Sequence, residues 1–116
     1  MNNREEIGRV SRLTIEREDH GILTCNIAID FGGSGQGYGG YSLDGPAPDR
    51  KGRAPTLFAG AVLLHLVDFF GGDLDKAKGT PVVVYREGGM IQRIARLACD
   101  RGAVLDFKAL AAEYAK

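Results

Sequence analysis

Polar and apolar positions alternate over residues 7–18, with Leu13, Ile15 and Arg17 on one side and Arg12, Thr14 and Glu16 on the other. That period of two predicts a strand. Asp19-His20-Gly21 is a turn signal, and residues 21–31 carry the strongest alternation in the chain. Leu23, Cys25, Ile27, Ile29 and Phe31 share one face there, and Thr24, Asn26, Ala28 and Asp30 the other. Together the two segments predict an antiparallel hairpin. A tight turn is expected near residues 32–35, followed by a third, glycine-rich strand over 36–44 in which Tyr38 and Tyr41 punctuate the glycines. Glycine inside a strand marks a bulge or the close approach of a ligand or another backbone.

Residues 45–55 read as a loop, with Pro46, Pro48 and Pro55 and the basic stretch Arg50-Lys51-Gly52-Arg53. A helix is predicted over 56–70, opened by Pro55 or Thr56 and closed by Gly71-Gly72. Its apolar residues, among them Leu57, Phe58, Val62, Leu63, Leu64, Leu66 and Phe69, surround it almost completely. Such a helix is expected to be buried on two sides, by the sheet and by a partner subunit. Residues 73–79 form a polar connection, 80–87 are rich in β-formers, and Gly88-Gly89 is a hairpin turn leading into a strand over 90–97. Strict alternation would set Ile91, Arg93, Ala95 and Leu97 against Gln92, Ile94 and Arg96. A turn is expected over 100–102, and Asp106 is placed to N-cap a last helix over 107–114. The resulting order, β-β-β-α-β-β-α over residues 1–116, predicts a single α+β domain. It has an antiparallel sheet, one long apolar helix and a short C-terminal helix.

Composition narrows the functional classes. Lysine plus arginine equals aspartate plus glutamate at 15 each, so the net charge is zero. That balance argues against DNA or RNA polymer as partner and against a polybasic membrane binder. No run approaches the ~18 apolar residues of a membrane span. The polar start of the chain does not read as a signal peptide. Cys25 and Cys99 lie far apart outside any C-x-x-C context and read as buried free thiols.

Familiar catalytic and cofactor patterns fail in context. Gly35-x-Gly37-x-x-Gly40 has the spacing of a dinucleotide fingerprint, but no helix is expected to open after Gly40. No lysine follows the glycines as a phosphate loop requires, and His20 and His65 have no partners at metal-ligand spacing. Ser34 lacks a nucleophile elbow. The chain is therefore expected not to be an enzyme and to need no metal and no cofactor. What survives is a binding signature. The strip Gly35, Gln36, Gly37, Tyr38 and Tyr41 offers backbone N–H groups and aromatic faces for a base. Arg50 and Arg53 lead to the helix N-terminus at Thr56, which suits a phosphate. Arg93 and Arg96, with Arg86 across the hairpin, suit pyrophosphate. A plainer reading stands beside each part: glycines that only permit close helix–sheet contact, a solvated basic loop, and arginines on alternating faces.

Two stretches also carry a family resemblance. His20-Gly21-Ile22-Leu23-Thr24 leads to the strip from Gly32-Gly33-Ser34-Gly35-Gln36-Gly37-Tyr38-Gly39-Gly40-Tyr41 through Ser42-Leu43-Asp44, and Gly89-Met90-Ile91-Gln92-Arg93-Ile94 follows. Over about residues 13–97 this order resembles the first-described Thoeris anti-defence family of small phage proteins. It departs from that family at Ala95-Arg96 and at Asp100-Arg101-Gly102-Ala103-Val104. The resemblance implies a sponge, a protein that sequesters glycocyclic ADP-ribose without cleaving it, with cyclic di- or trinucleotides as further ligands. It implies a homodimer or higher oligomer, up to a hexamer, in the cytoplasm of the infected bacterial host. Arg53 or a neighbour and Arg93 would contact phosphate, Gln92 would add a polar contact, and Thr56 with the helix N-terminus would complete the pocket. Two rivals remain. One is a small interaction or inhibitor protein that binds a protein partner through its Tyr/Gly-rich strand. The other is an enzyme that cleaves a cyclic nucleotide.

Overall fold

The computed structural model describes residues 4–97 and 104–114. Strand β1 (Arg4–Arg17) is followed by β2 (Leu23–Asp30), β3 (Gly35–Ser42), β4 (Asp44–Pro46), β5 (Arg53–Pro55) and helix α1 (Leu57–Phe69). After a 3-10 turn at Leu74–Lys76 come β6 (Pro81–Glu87), β7 (Met90–Arg96), β8 (Val104–Leu105) and helix α2 (Phe107–Glu113). The main sheet is antiparallel, with strand order β3-β2-β1-β6-β7-β8. The predicted α+β class and the sequence of main elements are observed.

The fourteen residues of β1 serve two wings of this sheet. Its first half pairs with β6 from Arg4↔Arg86 to Arg9↔Pro81, and its second half pairs with β2 from Arg9↔Asp30 to Arg17↔Leu23. A bulge falls at the handover, where Ser11 is the extra residue between Val10 and Arg12. A bulge bends its strand and raises the local twist. The wings curl until β3, at one edge of the sheet, comes within hydrogen-bonding distance of β7 and β8 near the other. The Tyr38 hydroxyl bridges that gap, 3.1 Å from the Gln92 carbonyl and 3.3 Å from the Leu105 carbonyl.

The core fills the inside of this curl. Val10, Cys25, Ile27, Ile29, Val82, Val84, Ile91, Ile94 and Leu105 come from the strands, Phe58, Val62, Leu66 and Phe69 from α1, and Phe107 and Leu110 from α2. Cys25 is a buried free thiol, and burial pushes it up to about 11, where it stays protonated and unreactive. Cys99 and the turn expected at 100–102 lie outside the described residues.

Helix ends follow the sequence signals. Thr56 Oγ1 accepts the Ala59 N–H at 3.2 Å, and Asp106 Oδ1 accepts the Ala109 N–H at 3.0 Å. At the end of α1, Gly71 takes a left-handed conformation (φ +82°) and the Gly72 N–H reaches back to the Val67 carbonyl at 2.7 Å. That is the wrap by which a glycine pair satisfies a helix's last carbonyls.

Two expectations need correction. Residues 45–55 are not simply a loop, because β4 and β5 form a short ladder from Asp44↔Pro55 to Pro46↔Arg53. Pro46 and Pro55 sit in this isolated two-stranded ladder, where a missing N–H costs little. On β7, Ile91 and Ile94 are both buried and Arg93 is exposed. Arg86 pairs with Ile91 and Tyr85 with Arg93, so Gln92 is an extra, bulged residue that resets the alternation. Within this chain α1 buries one side, through Phe58, Ala59, Ala61, Val62, Leu66 and Phe69. Leu57, Leu63 and Leu64 are exposed.

Candidate functional site

Glycine determines the shape of β3. Ile27 pairs with Tyr38, Asn26 with Gly39 and Cys25 with Tyr41, which leaves Gly40 as the extra residue of a bulge. Gly39 (φ +119°) and Gly40 (φ +84°) occupy backbone conformations that residues with a Cβ rarely adopt. A Cβ on Gly39 would also lie 2.5 Å from the Cys25 carbonyl oxygen. In an unbroken strand, positions three apart face opposite ways. The bulge removes that difference, and both tyrosines reach Phe107 on α2, with ring centroids 4.9 Å away for Tyr38 and 5.9 Å for Tyr41.

Tyr38 is buried, so its ring is a packing surface and not the open stacking face expected from the sequence. Its hydroxyl accepts the Phe107 N–H at 2.9 Å and is positioned to donate its one proton to the Gln92 or the Leu105 carbonyl. Burial, the largest influence on this phenol, pushes its pKa above the ordinary tyrosine value. The group stays neutral and can act as donor and acceptor at once. Tyr41 is half-buried, with Phe58 5.8 Å away on its other side.

Between the β3 bulge and the start of β7 lies a cleft of about 180 Å³. Gln36, Gly37, Tyr38, Gly39 and Tyr41 form one wall, Met90, Ile91 and Gln92 another, and Lys108 of α2 stands at it as well. Gln36 is held in place by two hydrogen bonds. Its Nε2 donates to the Gly89 carbonyl at 3.0 Å, and its Oε1 accepts from Arg86 Nε at 3.0 Å. Arg86 is braced in turn by Glu6 and by the Phe31 ring, 4.5 Å from its guanidinium carbon. The cleft lining contains one lysine and no carboxylate. Lys108 makes no ion pair among the described residues.

Of the other residues singled out by the sequence, Gly35 begins β3 just outside the cleft, while Arg53 and Thr56 belong to a second locality. Asp44 is its hub, buried at the start of β4. Its Oδ1 accepts from Arg53 Nε at 2.9 Å and from the Leu23 N–H at 3.2 Å, and its Oδ2 lies 3.2 Å from Arg17 Nη1. Burial raises the Asp44 pKa. The Arg53 hydrogen bond, the Leu23 amide and Arg17 outweigh that, and the carboxyl is held below the usual range. Arg53 also donates to the Asp44 carbonyl at 3.0 Å, so its guanidinium is already engaged. Thr56, besides capping α1, donates from Oγ1 to the Leu43 carbonyl at 3.2 Å. It lines a groove of about 560 Å³ with Asp44, Leu57, Phe58 and Tyr114. Arg50 sits at the tip of the β4–β5 hairpin beside Asp49, 3.3 Å away and exposed. Arg93 lies over the Tyr85 ring at 4.3 Å, and Arg96 is half-buried on β7 opposite Val82.

The binding signature read from sequence is thus divided in space. Gln36, Gly37, Tyr38, Tyr41 and Gln92 meet at the cleft, while Arg53 and Thr56 gather around Asp44. The two cavities share no lining residue. Of the residues lining the cleft, sequence reading missed Gly39, Met90, Ile91 and Lys108. Asp106 marks the start of α2, but only the docking of Phe107 on Tyr38 shows which wall the next residue completes. Among the described residues no three His, Cys, Asp or Glu side chains are grouped as a metal site. Comparison with family models, with curated proteins and with solved structures finds no match.

Proposed function

We propose that the protein is a nucleotide sponge. It binds and sequesters, without cleaving, a cyclic nucleotide signal of the glycocyclic ADP-ribose type, with cyclic oligonucleotides as a second ligand class. In doing so it blocks a Thoeris-type bacterial defence from the cytoplasm of the infected host. One observation carries this reading: the glycine strip that bears the family resemblance forms a wall of a concave, cation-bearing cleft. Glycine 37 leaves backbone bare on that wall, Gln36 and Gln92 put amide groups there, and the half-buried ring of Tyr41 supplies an apolar surface. At about 180 Å³ the cleft is smaller than the ~300–1,000 Å³ that encloses a whole small-molecule ligand. It suits one end of a nucleotide, with the remainder lying across the rim or against a second copy. Sequestration needs affinity and no turnover, so the reading requires no acid–base pair and no nucleophile.

The test is native mass spectrometry of the purified protein with a panel of cyclic ADP-ribose isomers and cyclic oligonucleotides, followed by heat release of the bound molecule. A tight complex that returns the intact nucleotide is expected. Release of an altered nucleotide would make the protein an enzyme. Retention of none would favour the other reading suggested by the edge position of β3, which pairs along its length only with β2. Such an edge can accept a strand from a protein partner.

A further inference from the structure

We infer that Lys108 supplies the positive charge for a phosphoryl or pyrophosphoryl group bound in the cleft between β3 and β7. The inference rests on the sponge reading and assigns its anion contact to a residue outside the family-like stretch. None of the arginines that sequence reading favoured lines the cleft. Arg53 donates through Nε and Nη2 to the side chain and carbonyl of Asp44. Arg86 is tied to Glu6 and Gln36. Arg50 sits at a hairpin tip beside Asp49. Arg93 lies over the outer ring of Tyr85.

Lys108 is the one cation lining the cleft, has no ion-pair partner among the described residues, and faces a wall without a carboxylate. An anion entering there would meet a net positive lining and the bare backbone of Gly37. A lysine ammonium suits this position, because it is a point charge with three rotatable donors that adapts to a phosphate without a fixed fork. Its placement follows from the fold. The Tyr38 hydroxyl holds the Phe107 N–H, and the Tyr38 ring packs on Phe107, so the adjacent residue is carried to the cleft. The glycine strip therefore acts at one remove, by positioning the tyrosine that positions the helix that bears the lysine.

The experiment titrates the full-length ¹⁵N-labelled protein with inorganic pyrophosphate, then measures ADP-ribose and cyclic ADP-ribose binding by calorimetry. Wild type, Lys108→Gln and Lys108→Arg are compared. Lys108 is exposed, so all three should melt at the same temperature. Pyrophosphate should shift the Gly37 and Gly39 amides of wild type. Lys108→Gln should bind tenfold or more weakly, and Lys108→Arg should recover most of that loss. If wild type and Lys108→Gln retain nucleotide equally, the lysine assignment is overturned and the sponge reading stands. If wild type binds neither pyrophosphate nor nucleotide, both fall.

Discussion

Asp44 is a carboxylate that the fold cannot leave alone. It is buried with two guanidinium groups and one backbone amide directed at its oxygens, and removing its charge would leave Arg17 and Arg53 facing each other across a neutral group. A carboxyl whose folded pKa lies below its unfolded value stabilises the fold fully above the unfolded value, about 3.9 for aspartate, and loses that contribution as pH falls through the folded value. Urea midpoints of wild type should therefore drop below about pH 4, as Asp44 protonates. Asp44→Asn should start from a lower midpoint at neutral pH, with the gap to wild type closing in acid. Parallel curves would remove Asp44 from the balance. Sequence alone showed an aspartate at the end of a strand and an arginine in a basic loop. It could not show that Arg17, Leu23 and Arg53, distant along the chain, converge on that aspartate. The same blindness hid Lys108, whose meaning depends on a contact between residues 38 and 107.

Among the elements, β3 and β7 share a device, one extra residue that lets two side chains three positions apart reach the same side. Tyr38 and Tyr41 do so across Gly39 and Gly40, Ile91 and Ile94 across Gln92. Capping residues and glycine stops are local signals, so the predicted starts and ends of α1 and α2 fall close to the observed ones. A bulge is imposed by the partner strand, and a period-two reading of β7 accordingly assigned its faces wrongly. The glycines of β3 separate cleanly by role. Gly39→Ala places a Cβ at a positive φ and against the Cys25 carbonyl, so it should destabilise the fold by about 2 kcal/mol or more. A Cβ on Gly37 would meet open space. Gly37→Ala should change stability by less than about 1 kcal/mol, yet weaken nucleotide retention by filling the cleft wall. Urea unfolding and calorimetry on the same samples read both effects. Equal stability losses at the two positions would refute the distinction.

Across the whole molecule, the curl of the sheet determines what is left uncovered. Sequence supplied the strands and their order, but not the closure, which rests on the long shared β1 and on the Tyr38 bridge between edges. With the core filled from inside the curl, α1 turns its other side outward. Leu57, Gly60, Leu64 and Val67 are spaced three and four apart and form one stripe, beside which Leu63 also lies open. Leu57 is 80% exposed and Leu64 68%. A single exposed leucine is ordinary, whereas a continuous apolar stripe on a helix marks a contact surface. The occupant we propose for it is a second copy. About a twofold axis crossing α1 near Val62, Leu64 of one copy would fall over the partner's bare Gly60 while Leu57 met the partner's Val67, a self-complementary arrangement. Light scattering at micromolar concentration should then give at least a dimer. Leu64→Glu should give a monomer with an unchanged circular dichroism spectrum, because Leu64 is largely exposed within the single chain. A wild-type mass equal to one chain would show instead that the stripe stands open to solvent, and that any nucleotide overhanging the small cleft is held by this chain alone.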